Sequence, residues 1–242
     1  MNRTIATSRR VLAQVVHDRR TLALLLIVPA LLIGLVAWIF TETPVFDRIA
    51  GQLIAMFPFV TMFLVTSIAT LRERRSGTLE RLLTMPLSKA DFILGYALAF
   101  GLLALVQSII CVSWAVLVCG FDPGDHLVVF VATTMLNGIL GTAFGLFASA
   151  FAATEFQAVQ FMPAFVFPQI LLAGLFLPTD QLPRALEILA HLMPMTYAFD
   201  ALTEVTAAAP DLRAVAVDDA VLGGFVVLLL TLGSLSLRRR SR

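Results

Sequence analysis

Charge is what this chain has least of. Of its 242 residues, 14% are Asp, Glu, Lys or Arg and 59% are hydrophobic, whereas a soluble domain carries about 25% charged residues. So few charges leave most of the surface with nothing to offer water, and lipid is the surrounding that fits. Cysteine is scarce too. Cys111 and Cys119 stand on one apolar run, about 12 Å apart along a helix, too far to bridge, and no thiol or metal-ligand spacing surrounds them. They read as small apolar packing residues. A phosphate loop of the form Gly-x-x-x-x-Gly-Lys-Ser/Thr is missing from these residues, so the chain is not itself equipped to hydrolyse ATP. A net charge of +1 gives no electrostatic case for nucleic acid. The first apolar run, 22–40, is too long for a signal-peptide core and is followed by Thr41-Glu42-Thr43-Pro44 rather than a small-residue cleavage site, so it reads as retained.

What is present is length without charge. A helix crossing about 30 Å of hydrocarbon needs roughly 20 apolar residues, and six segments qualify: 22–40, 53–71, 92–119, 127–151, 158–177 and 220–237. None contains Asp, Glu, Lys, Arg or His. Backbone groups in lipid must be satisfied within the segment, which makes these helices rather than strands. The predicted fold is therefore an all-α membrane protein, one transmembrane domain over 1–242. Pro29, Pro58, Pro163 and Pro168 fall inside spans and shape them without chemistry.

Orientation follows from the basic residues. With six spans, the two termini and the second and fourth loops share a side. That side holds Arg3, Arg9, Arg10, Arg19, Arg20, Arg72, Arg74, Arg75, Arg81, Lys89, Arg238, Arg239, Arg240 and Arg242, fourteen of the seventeen Lys and Arg residues. Both termini are predicted to be cytoplasmic, in the cell membrane. Residues 1–20 form a separate element. At helical spacing Val11, Val15, Leu12, Ile5 and Val16 share an arc, with Arg3, Arg10, Gln14 and His17 opposite, as in a helix lying in the membrane interface.

The loop 72–86, between spans two and three, carries the most information. Ser76, Gly77 or Thr78 can cap a short helix, Glu80 sits near its positive end, and Pro86 stops it. Leu79, Leu82 and Leu83 then share one face. Ser88-Lys89-Ala90-Asp91 is a capping box opening the third span. A short helix with a leucine face ringed by Arg and Glu suits a protein partner; an ordinary basic topology loop does not need those leucines. Beyond the fifth span, Leu182, Leu186, Leu189 and Met193 repeat at helical spacing after Pro183, so 178–209 is expected to hold short helices that dip into or lie on the opposite leaflet.

These residues resemble a known family. Glu73, Gly77-Thr78-Leu79-Glu80-Arg81-Leu82-Leu83 and Pro86-Leu87-Ser88 are similar to the signature of ABC-2-type exporter permeases, the group that includes the daunorubicin-resistance permeases. Leu177-Pro178, Leu182-Pro183 and Met193-Pro194-Met195-Thr196-Tyr197-Ala198…Asp200-Ala201-Leu202 resemble the family's second motif; where the family commonly has Arg next, this chain has Thr203-Glu204. The resemblance implies a coupling helix formed by Glu73, Gly77, Thr78, Leu79, Glu80, Leu82, Leu83 and Pro86, docked on a separate ABC ATPase in two copies that bind ATP and Mg. It implies a second permease copy or a related permease, re-entrant helices after span five, and a pathway between spans two and five, where Phe59, Met62, Phe63, Phe161, Phe165 and Gln169 are the candidate lining. Packing inside the bundle is the competing reading for each of those residues. No cofactor, metal or catalytic residue is expected in the chain itself. The function implied is export of a hydrophobic or amphiphilic compound, a drug or antibiotic; a lipid or polysaccharide precursor is the alternative cargo.

Three other classes compete. An ion-coupled carrier places ionisable groups at membrane depth, and the six segments have none, only isolated Gln107, Asn137 and Gln169. A non-transporting scaffold explains the spans but not the leucine-faced loop. An intramembrane enzyme would need linked chemistry, and His126 and His191 lie near Asp122, Asp125 and Glu187 without a His-Glu-x-x-His or nucleophile arrangement. Gly141, Gly145 and Ser149 recur every fourth residue in span four, a small-residue packing face within the bundle. Glu155 and Gln157 in the fourth loop are expected to form a second, smaller ATPase contact.

Overall fold

The computed structural model describes residues 3–41, 43–76 and 88–236. These residues are helical almost throughout, with no strand among them: α1 Arg3–His17, α2 Arg19–Ile39, α3 Val45–Arg75, α4 Lys89–Leu117, α5 Leu127–Ser149, α6 Glu155–Leu172, α7 Arg184–His191, α8 Pro194–Val205 and α9 Leu212–Ser236. The starts are written in local chemistry. Asp18 caps α2 by accepting from the Thr21 backbone N–H at 3.1 Å and its hydroxyl at 2.6 Å. The Ser88/Asp91 capping box opens α4, and Thr154 accepts from the Gln157 N–H at 3.1 Å to open α6. Pro194 begins α8, where its missing N–H costs nothing. The reversal between α4 and α5 needs left-handed backbone at Gly120 and Gly124, both at φ 72°.

Five helices, α2, α3, α4, α5 and α9, are long and apolar enough to cross a membrane. The sixth expected span, 158–177, appears as α6, which stops at Leu172 and carries Gln157, Gln160, Gln169 and two prolines over 18 residues. Those amides and the early stop, not any ionisable residue at depth, separate it from the other five. Residues 220–236 of the expected span 220–237 are part of a longer helix. It starts at Leu212, so Arg213, Asp218 and Asp219 lie on the same helix as the apolar run.

At the centre, α5 packs along α3. In lipid this contact gains little from hydrophobicity and depends on close approach. Glycines provide it: a Cβ built on Gly141 would stand 2.2 Å from the Phe59 carbonyl oxygen, and one on Gly145 2.5 Å from that of Phe63. Asn137 donates to the Ala55 carbonyl at 3.1 Å across the same seam, and the Thr61 hydroxyl donates to the Gln107 side chain of α4 at 2.9 Å. The small-residue face read from the sequence is thus a seam inside the chain. The buried share of the apolar windows falls from 56% in α3 to 22% in α2 and α9, which sets the latter two at the periphery.

Helix α1 differs from its expected orientation. Its arc of Val11, Leu12, Val15, Ile5 and Val16 divides between the chain's own interior and its surface. Val11 is buried with Thr7 and Ser8, while Ile5 and Val16 are 54% and 52% exposed. The cause is tight packing on α4. A Cβ on Gly95 would meet Thr7 Cβ at 2.6 Å, so Thr7 sits at the closest approach, with Val11, Leu12 and Val15 packed in the same cluster as Phe92, Ile93 and Tyr96 of α4. Arg10, expected on the water side, turns inward as a result.

Candidate functional site

Helix α3 has 31 residues, about 46 Å of helix, well beyond the roughly 30 Å of hydrocarbon. Its last turn, Arg72-Glu73-Arg74-Arg75, gathers charge at one end, where cations suit the negative end of the helix dipole. Successive residues on a helix point about 100° apart, and three neighbours here take hold of three different helices. Arg72 donates to both carboxylate oxygens of Glu155, at the start of α6, at 2.8 and 3.2 Å. Glu73 accepts from Arg10 of α1 at 2.7 Å. Arg74 donates to the Ser149 carbonyl at the end of α5.

The electrostatics agree. Glu155 lies at the positive end of α6, and the hydrogen bond from Arg72 holds its carboxyl below the usual range. Burial opposes the charge on Arg10, but the hydrogen bond to Glu73, together with Tyr96 and the Glu73 charge, outweighs it and the pKa rises. The two ion pairs differ in kind. The Arg72–Glu155 side chains are 66% and 47% exposed, those of Arg10–Glu73 only 30% and 10%.

The loop that follows is held at its other stem too. Asp91 accepts from the Ser88 backbone N–H at 3.1 Å and hydroxyl at 2.7 Å, and the Thr4 hydroxyl of α1 donates to it at 3.0 Å. Arg10 and Thr4 stand about 9 Å apart along α1. One short helix thus braces the chain just before residue 77 and just after residue 87. Of the residues expected to form the coupling helix, Glu73 is the described one; Gly77, Thr78, Leu79, Glu80, Leu82, Leu83 and Pro86 lie outside the described residues. The sequence places Arg10 on the polar face of residues 1–20 and Arg74 among the cytoplasmic cations, and assigns neither of them, nor Thr4, to this site. Nothing marks Arg10 off from its neighbouring arginines except that Glu73, 63 positions away, needs a cation.

The six candidate pathway residues scatter. Phe59, Met62 and Phe63 are fully buried in the chain's own interior; Phe59 meets Phe144 edge to face with centroids 5.8 Å apart. Phe165 is 41% exposed and meets Phe161 at a tilt, with ring centroids 6.0 Å apart. Gln169 is buried and spoken for: its amide donates to the Phe165 carbonyl at 3.0 Å, and its oxygen accepts from the Met195 N–H at 3.3 Å. It pins the start of α8 to α6. Gln157 is also committed locally, its oxygen accepting from the Ala153 N–H at 2.8 Å.

At the far end of the bundle, the second motif builds an elbow. The Thr196 hydroxyl donates to the Ala190 carbonyl at 2.7 Å and Tyr197 to that of His191 at 2.8 Å, folding α8 back on α7. Ala198, Ala201 and Leu202 are buried. Asp200 faces Asp218 of α9, and burial together with that charge pushes its carboxyl up to about 6.

A family model described as ABC-2 type transporter matches residues 3–206, which takes in the braced loop, the central seam and the far elbow. The probable multidrug ABC transporter permease YbhR of Escherichia coli K12 is 30% identical over 152 residues, 63% of this chain and 41% of that protein. The linearmycin resistance permease protein LnrN of Bacillus subtilis is 28% identical over 151 residues, 62% of this chain and 39% of that one. ABC transporter G family member 20 of Dictyostelium discoideum is 26% identical over 162 residues, 66% and 22%. The chain spans about two fifths or less of the length of these relatives. On the family match and the arrangement of its helices, the chain belongs to the ABC-2 type transporter family.

Proposed function

We propose that this chain is the membrane-spanning subunit of an exporter driven by a separate ABC ATPase, which docks on residues 77–86 and holds the ATP and Mg. The observation that carries the reading is the bracing of that loop. A push on the segment after Ser76 reaches α6, α1 and α5 through Arg72, Glu73 and Arg74, and returns to α1 through Asp91 and Thr4. A loop whose flanks are wired into three helices suits the delivery of work to a bundle that has no phosphate loop of its own.

In this reading α6 is a sixth, amide-bearing span, and both termini lie in the cytoplasm with the basic residues. Helices α7 and α8 are the re-entrant pair on the other side. Two permeases, identical or related, and two ATPases make the working assembly. The exposed aromatic side of α6, with Phe165 and Phe167, is its contribution to the pathway, and Phe161 stands beside it. Phe59, Met62 and Phe63 act as the packed wall behind. The cargo is a hydrophobic or amphiphilic compound, a reading supported by the multidrug and linearmycin resistance names of two relatives.

The test is capture of an ABC ATPase co-produced with the chain, together with transport. Leu83→Asp and Glu80→Ala should abolish transport while the chain still inserts in the membrane, and Leu83→Asp should lose the ATPase. Undiminished ATPase capture by Leu83→Asp would refute the docking assignment.

A further inference from the structure

Between α1, the start of α2, α3 and the start of α4 lies a cavity of about 510 Å³, within the size range of small-molecule sites. It sits at the charged end of the bundle, and its wall changes character with depth. Asp18, Arg72 and Glu73 line the polar part; Val65, Ile68 and Phe100 line the apolar part. From Ser76 to Val65 the α3 wall runs about 16 Å. That gradient matches an amphiphile whose head stays at the interface and whose tail enters the apolar part.

The charges narrow the head. Glu73 is 8% exposed, and its Oε2 has no hydrogen-bond partner among the described residues. The Asp18 carboxylate is held by Thr21 and is in no ion pair among the described residues. Asp18, without an ion pair among these residues, and the free Oε2 of Glu73, whose other oxygen is held by Arg10, both line the cavity and suit a cation with N–H donors. Arg72, although paired with Glu155, keeps a 66% exposed side chain beside them and can receive an anion at the mouth. We propose that the cavity binds a phospholipid with a primary-ammonium head. The ammonium lies toward Asp18 and Glu73, the phosphate toward Arg72, and one acyl chain runs along Val65, Ile68 and Phe100. This site is separate from the export pathway, and it stands whether or not residues 77–86 dock an ATPase.

The experiment is native mass spectrometry of the purified full chain, offered equal amounts of phosphatidylethanolamine, phosphatidylcholine and phosphatidylglycerol with identical acyl chains. Phosphatidylethanolamine should be retained about tenfold over phosphatidylcholine, whose quaternary head has no N–H to donate, as one charge-assisted hydrogen bond allows. Asp18→Asn, which still caps α2, should bring that ratio toward one. Ile68→Trp, which fills the apolar part, should lower retention of all three lipids. Equal retention of the ethanolamine and choline lipids would overturn the proposal, as would preferred retention of phosphatidylglycerol or an ethanolamine preference unchanged in Asp18→Asn. Dodecylamine, an ammonium and tail without phosphate, should compete poorly; displacement of the ethanolamine lipid at equal concentration would overturn the role given to Arg72. Should Ile68→Trp fail to fold, the head-group comparison and Asp18→Asn still decide.

Discussion

Gly141→Ala adds one methyl group at the tightest point of the α3–α5 seam. The new Cβ would lie 2.2 Å from the Phe59 carbonyl oxygen, 2.8 Å from its Cα and 2.9 Å from its carbonyl carbon. All three are backbone atoms of a packed helix, so no rotamer change relieves the clash, and the helices must separate by about an ångström. Overpacking of this kind costs about 1–3 kcal/mol, and Ala returns about 0.5–1 kcal/mol through its better helix propensity. A net loss of about 1 kcal/mol corresponds to a Tm lower by about 2–4 °C for a chain of this size. The internal control is Gly224→Ala in α9, where an added Cβ meets nothing within 4 Å and the propensity gain stands alone. Thermal melts of the two purified variants, followed by size-exclusion fluorescence, give the comparison. If Gly141→Ala melts at or above the parent, or if Gly224→Ala loses as much, the close approach of α3 and α5 is not what holds the bundle.

The two ion pairs of the charged end should behave differently. Arg10→Ala leaves the buried Glu73 without its cation and should cost about 3–5 kcal/mol, with part of the loss recovered in Arg10→Ala/Glu73→Ala, read as a double-mutant cycle on Tm. Arg72→Ala, at an exposed pair, should cost about 0–1 kcal/mol while still impairing transport. Gln169→Leu should leave the Met195 N–H without its acceptor and lower stability by about 1–3 kcal/mol, measured by the same melts. For Asp200 the sign is set by its raised pKa: the folded chain favours the neutral form, so stability falls as pH rises from about 4 through about 6. Asp200→Asn should therefore gain stability at pH 8, by about 1 kcal/mol after screening of its exposed part, read as a higher Tm, and the gain should shrink toward pH 4.

The sequence announces features that depend on neighbours along the chain. Apolar length predicts α2 to α5 and α9, the Ser88/Asp91 box predicts the start of α4, and Gly141 and Gly145 predict a close seam. Proline and spacing predict α7 and α8. The ABC-2 resemblance, carried by residues 73–88 and 177–202, agrees with the family match over residues 3–206. What stayed illegible was long-range pairing. Nothing in the pattern of α1 tells that Arg10 turns inward to Glu73, or that Thr7 fits against Gly95, because each depends on a partner 60 to 90 positions away. Gln169 looked like an isolated amide in an apolar run, and only the approach of Met195 reveals it as a helix cap.

The order Arg72-Glu73-Arg74 also works as a phase mark. One residue inserted after Leu71 would rotate the end of α3 by about 100° and shift each side chain into its neighbour's place. Arg72 would then confront Arg10, and the carboxylate of Glu73 would confront the Ser149 carbonyl, so two attractions would become two repulsions. The alternation of sign over three positions makes the rotational setting of α3 discrete, and a screw displacement of one residue cannot be absorbed by sliding.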